Sequence, residues 1–135
     1  MNLIRLVYAS RFCESKFDAQ ELSSINQISQ KNNQLAEITG MLIFGDDYFL
    51  QCLEGDRQAV SKLFNKISLD PRHDSVVLLN VEEIVKRDFG EWKMKVVLLT
   101  EANRNLIKTF SASSEFNPFT MNSKSALEFM KSLRS

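Results

Sequence analysis

Ile38-Thr39-Gly40-Met41-Leu42-Ile43-Phe44-Gly45-Asp46-Asp47-Tyr48-Phe49-Leu50-Gln51-Cys52-Leu53-Glu54 is the stretch that decides the fold. Two β-rich apolar runs flank Gly45-Asp46-Asp47, so the sequence reads as an antiparallel hairpin with strands at 38–44 and 48–54. Alternation along the second strand puts Phe49, Gln51 and Leu53 on one face and Leu50, Cys52 and Glu54 on the other. A primary amide between two large apolar side chains is costly to bury unless something polar meets it.

Outward from the hairpin, residues 2–10 form a further strand that carries Tyr8. Asp18 and Glu21 have the spacing of a helix cap and its capping-box partner. The helix they open bears Leu22, Ile25, Ile28, Ser29 and Asn32 on one face, and that stripe turns polar at its end, beside Asn33. Downstream, Gly55-Asp56 opens a second helix with an apolar stripe of Val60, Leu63, Phe64 and Ile67, which Asp70-Pro71 ends. Strands are expected at 76–85 and 91–100, with Arg87–Gly90 turning between them and Trp92 and Met94 on the last. The order β-α-β-β-α-β-β predicts an α+β ferredoxin-like sandwich with two helices on one face of a mixed sheet. Two more amphipathic helices are expected at 102–111, with Leu106, Ile107 and Phe110 on one face, and at 123–134, with Ala126, Leu127, Met130 and Leu133.

A chain of 135 residues suits a single domain. Seventeen Lys and Arg against seventeen Asp and Glu give no electrostatic case for nucleic acid or an anionic membrane. No apolar run approaches membrane-spanning length, and the first residues lack the pattern of a secretory leader, so a cytoplasmic protein with reduced Cys13 and Cys52 is expected. One histidine, His73, leaves no metal cluster of the usual kind. There is no glycine-rich phosphate loop, and no cysteine or serine has an evident base.

The chemistry therefore gathers at Tyr8, Gln51 and Asn33, placed over one sheet face between walls of Ile25, Phe64 and Ile67. Mostly apolar walls with a few convergent hydrogen-bonding groups describe a pocket for a flat polar heterocycle, and an amide both donates and accepts. Each residue alone has an ordinary structural use: a core tyrosine, a solvated glutamine, an asparagine cap. Lys31 and Asp70-Arg72-His73 read equally as phosphate or hydroxyl contacts at the pocket mouth and as a solvated charged turn.

In Arg5-Leu6-Val7-Tyr8-Ala9-Ser10, Asn32-Asn33, Ile38-Thr39-Gly40-Met41-Leu42, Phe49–Gly55, Asp70-Pro71-Arg72-His73 and Trp92-Lys93-Met94, the chain resembles BLUF domains, blue-light sensors that bind flavin. The resemblance spans residues 2–100. It implies a flavin-binding core at 1–100 and, at 101–135, a helical extension of the same domain packed on the other sheet face. Tyr8 would give an electron and proton to the photoexcited flavin, and Gln51 would bridge Tyr8 to it and change its hydrogen bonds. Asn33 would hold the flavin's carbonyl edge, with Ser29, Asn32, Ile25, Phe49, Phe64 and Ile67 lining the site. Lys31, Asp70, Arg72 and His73 would lie near the ribityl chain or phosphates. Trp92 and Met94 would relay the signal from the last strand. FAD is the expected cofactor, with FMN and riboflavin as alternatives.

Departures from the family pattern are Glu37, where a glycine usually precedes Ile-Thr-Gly, Cys52 in place of an aliphatic, and one extra residue between Tyr8 and Asn33. The expected output is a downstream protein partner or self-association, with Phe116, Phe119 and Phe129 as candidate contacts, although core packing is the more usual role for most such residues. Two other readings stand beside this one. A flavin-dependent enzyme would need an acid, base or second substrate site that the sequence does not display, and a cofactor-free ferredoxin-like interaction module would need neither Tyr8 nor Gln51.

Overall fold

The computed structural model describes residues 2–12, 36–112 and 115–134. The helix expected from Asp18, with Ile25, Ser29, Lys31, Asn32 and Asn33, lies outside the described residues. The strands are β1 (Leu3–Phe12), β2 (Thr39–Gly45), β3 (Tyr48–Asp56), β4 (His73–Glu83) and β5 (Lys95–Leu98); the helices are α1 (Arg57–Leu69), α2 (Glu101–Phe110) and α3 (Ser123–Ser132), with a short 3₁₀ turn at Pro118–Thr120. The sheet order is β4-β1-β3-β2-β5, antiparallel except for the parallel β2–β5 pair. This is the expected ferredoxin-like α+β architecture.

Local chemistry explains the element ends. The β2–β3 hairpin turns through Asp46 and Asp47, both at positive φ (50° and 68°), the geometry that matches strand twist in a two-residue turn. Arg104 of α2 grips the Asp46 carboxylate at 2.5 and 2.6 Å and holds its pKa below the usual range. Asp56 caps α1 by accepting from the Gln58 backbone N–H at 3.2 Å. Thr100 and Asn103 form a capping box at the start of α2, and Asn122 caps α3. At Gly40 the β3 backbone comes so close that a Cβ would meet the Cys52 carbonyl oxygen at 1.9 Å; only glycine lets β2 pair there.

The sheet divides two cores. On one side Ile4, Leu6, Tyr8, Leu42, Phe49 and Leu53 pack with Val60 of α1. On the other, Val7, Met41, Ile43, Leu50 and Cys52 pack with Ile107, Phe116, Ala126, Phe129 and Met130 of the C-terminal segment. The alternation read in β3 is thus the partition between cores. Phe116 and Phe129 are buried, and Phe119 packs edge-on against Tyr48 at 5.6 Å between ring centroids. Of the two uses the sequence left to Phe116 and Phe129, core packing is the one taken, because the second core needs their rings to cover the sheet.

Two strands differ from the sequence reading. β4 begins earlier, at His73, and ends at Glu83. β5 is only four residues long, so Trp92 and Met94 precede it in irregular backbone. One hydrogen bond, from Gly40 N–H to the Trp92 carbonyl at 3.2 Å, continues the β2 pairing past Lys95. Without a regular ladder the alternation fails: Met94 joins the Tyr8 core while Trp92 packs on the α2–α3 side.

Arg5 and Glu54 face each other across β1 and β3 and are both buried. Arg5 Nε and Nη2 donate to Glu54 Oε2 at 3.1 and 2.9 Å, and Nη1 donates to Glu82 at 2.8 Å; Asp88 also accepts from Arg5. Glu54 further accepts the backbone N–H groups of Asp88 and Phe89 at 3.0 and 2.8 Å, and Arg87 donates to the Glu54 carbonyl at 2.9 Å. The β4–β5 loop is thereby fastened to the central strands. Glu54→Ala takes from buried Arg5 one of its three carboxylates and leaves the Asp88 and Phe89 amides without their acceptor, so it is expected to lose about 3 kcal/mol of stability by urea unfolding. Glu37 holds φ at 56°, the left-handed conformation. In the same assay Glu37→Gly is expected to gain about 1 kcal/mol, because glycine adopts that backbone without steric cost.

Candidate functional site

Tyr8 on β1 and Gln51 on β3 are direct partners in the antiparallel ladder, so their side chains leave the same face together. Both are buried, and the Tyr8 hydroxyl donates to Gln51 Oε1. Gln51 Nε2 donates in turn to the thioether of Met94 at 3.3 Å. The polar partner that a buried amide at position 51 requires is thus the Tyr8 hydroxyl, and Met94 stands next in the series. The Gln51–Met94 contact is weak, since a thioether is a poor acceptor and a primary amide carries two N–H groups. Among the described residues, Gln51 Nε2 has only this sulfur.

The surroundings are apolar and aromatic. Phe64 of α1 tilts against Tyr8 with ring centroids 5.6 Å apart, and Phe49 and Ile67 belong to the same core. Burial, with the Asp70 carboxylate adding to it, drives the Tyr8 pKa far above the ordinary phenol value, so this hydroxyl keeps its proton across the physiological range.

His73, at the start of β4, completes one side of the cluster. Its Nδ1 lies 2.8 Å from the buried Ser10 hydroxyl, and its ring packs edge-on against Tyr8 and Phe49 at 6.3 and 5.3 Å. Desolvation lowers its pKa, and Arg72 lowers it further against the opposing pull of Asp70, so the imidazole is neutral at pH 7. Asp70 and Arg72 pair with each other, from Nε at 3.0 Å and Nη2 at 2.5 Å, which pulls Asp70 below the usual carboxylate range. The sequence left Asp70, Arg72 and His73 open between contacts at a pocket mouth and a solvated charged turn; in the structure His73 faces inward while the other two pair with each other.

Met94 closes the other side, 2 % exposed, while the half-buried Trp92 lies away from Gln51. Beside this core, a cavity of about 480 Å³ is bounded by Ala36, Ile38, Asp56, Ala59, Lys62 and Leu63. Its volume suits a ligand of heterocycle size, although neither Tyr8 nor Gln51 lines it. The donor set fits a flavin: a buried amide that meets only a thioether among the described residues, a phenol behind it and aromatic walls offer what the carbonyl and nitrogen edge of a planar ring needs. Among the described residues no group of His, Cys, Asp and Glu is arranged to hold a metal ion, and no helix is long and apolar enough to cross a membrane.

Sequence reasoning missed Ser10 and Arg5. The signal for Arg5 was legible, as a charge at a position whose ladder partner, Glu54, carries the opposite one. Ser10 offered none, because its partner His73 is set by the β1–β4 register.

Known proteins match this arrangement. Photoactivated adenylate cyclase subunit alpha of Euglena gracilis is 34 % identical over 94 residues, which cover 69 % of this chain and 9 % of that protein. The blue light- and temperature-regulated antirepressor BluF of Escherichia coli is 29 % identical over 94 residues, 70 % of this chain and 23 % of that protein. The chain thus spans only a small part of the length of either curated relative. Among solved structures, the photo-activated state of BlsA superposes with a TM-score of 0.90 at 32 % identity, covering 98 % of this chain and 94 % of the other. The family model for sensors of blue light using FAD matches residues 3–95. The chain belongs to the BLUF family of flavin-binding blue-light sensors.

Proposed function

We propose that this chain is a non-enzymatic photoreceptor in which Tyr8 and Gln51 convert light absorption into a changed hydrogen-bond pattern. The observation that supports it most is the Tyr8–Gln51–Met94 series, a phenol, an amide and a thioether in line inside an apolar core. FAD is the cofactor proposed, with residues 1–100 as its binding core and 101–135 as a helical extension of the same domain. Ile25, Ser29, Lys31, Asn32, Asn33, Phe49, Phe64, Ile67, Asp70, Arg72 and His73 are the proposed residues around it. A flavin held there supplies the absorption of blue light and an excited state able to take an electron from a phenol.

The protein's part follows from its own groups. Tyr8 releases an electron, and its hydroxyl proton moves toward Gln51 Oε1, the atom to which it already donates. Gln51 then rotates or tautomerises, and its Nε2 proton leaves the Met94 sulfur. The electron and proton return to Tyr8, but the amide stays in its new arrangement because rearranging a buried hydrogen bond costs little once both ends find partners. Aromatic walls exclude water that would reset the amide. Met94, in one chain segment with Trp92, carries the change toward a partner protein or a self-association surface.

Absorption spectra of the flavin-loaded protein, in darkness and after blue light, test this directly. The wild type is expected to show a small reversible red shift; Tyr8→Phe and Gln51→Leu are expected to bind flavin and lose the shift. A normal photocycle in Tyr8→Phe would falsify the mechanism. A colourless protein whose Gln51→Leu variant changes only in stability would favour the cofactor-free module.

Because the Tyr8 pKa is raised on folding, its contribution to stability is fully present below the unfolded value of about 10 and is lost as pH rises beyond it. Alkaline titration followed at the tyrosinate band is expected to show Tyr8 ionising only together with unfolding. Subtracting the Tyr8→Phe curve isolates it, and ionisation in the folded protein would contradict the burial argument.

A further inference from the structure

Among the described residues, the C-terminal end of α3 is tied to one stretch of chain. Lys95 Nζ donates to the carbonyls of Leu133 and Arg134 at 3.1 and 3.0 Å. Arg134 Nη1 donates to the Asp88 carbonyl at 3.2 Å, and Lys131 Nζ lies 3.6 Å from the Asp88 carboxylate. Asp88 and Lys95 bracket the irregular segment that holds Trp92 and Met94. The last carbonyls of a helix have no partner within it, and an ammonium group there is favoured by the helix dipole as well.

The same ammonium lies 4.7 Å from the centroid of the Trp92 ring, within cation–π reach. Its neighbour in sequence, Met94, accepts from Gln51 Nε2 on the opposite face of the sheet. One lysine therefore joins the indole to a helix end, and one residue away stands the group that Gln51 grips. A cavity of about 440 Å³, lined by Arg87, Asp88, Gly90, Glu91, Trp92 and Arg134, gives the segment room to move.

We propose that Lys95 is a positioning residue that latches the end of α3 to the 88–95 segment and releases it when Gln51 lets go of Met94. This rests on the photoreceptor reading above. Once Met94 repacks, the backbone at Lys95 shifts, and its two hydrogen bonds, steep in distance and angle, are lost together. Two carbonyls of the helix terminus turn to solvent, the last turn frays, and Leu133, buried while the latch is closed, becomes available as apolar surface.

Hydrogen exchange of the full flavin-loaded chain, in darkness and under blue light, tests the latch in wild type, Lys95→Met and Lys95→Arg. Light is expected to speed exchange of amides 129–134 in the wild type about tenfold, the loss of roughly one charge-assisted hydrogen bond. Lys95→Met keeps an unbranched apolar stem but no donor. It is expected to exchange at the light-state rate already in darkness, with the flavin red shift unchanged, and Lys95→Arg to restore the dark protection.

Dark protection in Lys95→Met equal to the wild type overturns the latch. So does faster exchange spread equally over β1 and β3, which marks a merely structural role. A wild-type red shift with no change at 129–134 overturns the latch alone, whereas the absence of any red shift overturns the photoreceptor reading itself.

Discussion

Everything at this site depends on Tyr8 standing opposite Gln51 in the β1–β3 ladder. A slip of one residue would send one of the two side chains into the other core, because the side-chain period of a strand is two. The register is fixed by several independent contacts. Arg5 meets Glu54 further along the same ladder, the Asp46-Asp47 turn sets β2 against β3, and Gly40 allows β2 to approach. The phenol–amide pair is thus a consequence of strand pairing before it is a piece of chemistry. Its low-polarity surroundings then keep the phenol protonated and make its hydrogen bond to Gln51 matter.

The sheet keeps the two apolar cores apart, and the irregular segment before β5 has neighbouring side chains in both. That follows from the shortness of β5. A regular strand at 91–94 would have put Trp92 and Met94 on one face; the bend sends Met94 to Gln51 and Trp92 to the C-terminal helices. Glu54 anchors one end of the loop through the Asp88 and Phe89 amides, while Met94 meets Gln51 near the other. A rearrangement at Gln51 therefore acts on a segment that is fastened at a distance and loose near the amide.

Much of this was legible in the sequence. Gln51 announced itself as a polar residue inside an apolar alternation, and the hairpin around Gly45-Asp46-Asp47 fixed the strands that present it. The last strand misled for a physical reason: Trp92-Lys93-Met94 has the alternation of a strand, yet strand length is decided by hydrogen-bond partners on a neighbour, and only one such bond forms before Lys95. The Asp70–His73 stretch stayed open between two readings for a different reason. Charged residues in a turn suggest solvent, but register with β1 brings His73 to Ser10 and turns the imidazole inward. Arg5 was missed although its ladder partner Glu54 carries the opposite charge, because the third member of that cluster, Asp88, is distant in sequence and meets it only in the fold.

Energetics decide which part of the fold can serve as an output. One rearranged hydrogen bond is worth about 1 kcal/mol, which shifts a two-state equilibrium by less than about tenfold. A change that small cannot open either core, since Phe49, Leu50, Leu53 and Phe129 are fully enclosed and their exposure would cost several times as much. It suffices only for an element already near balance, such as a helix terminus held by a few side-chain bonds to carbonyls. The end of α3, tied through Lys95 and Asp88 to the segment that Met94 occupies, has that character. The energy available at Gln51 is matched to fraying a helix end and not to unpacking a sheet.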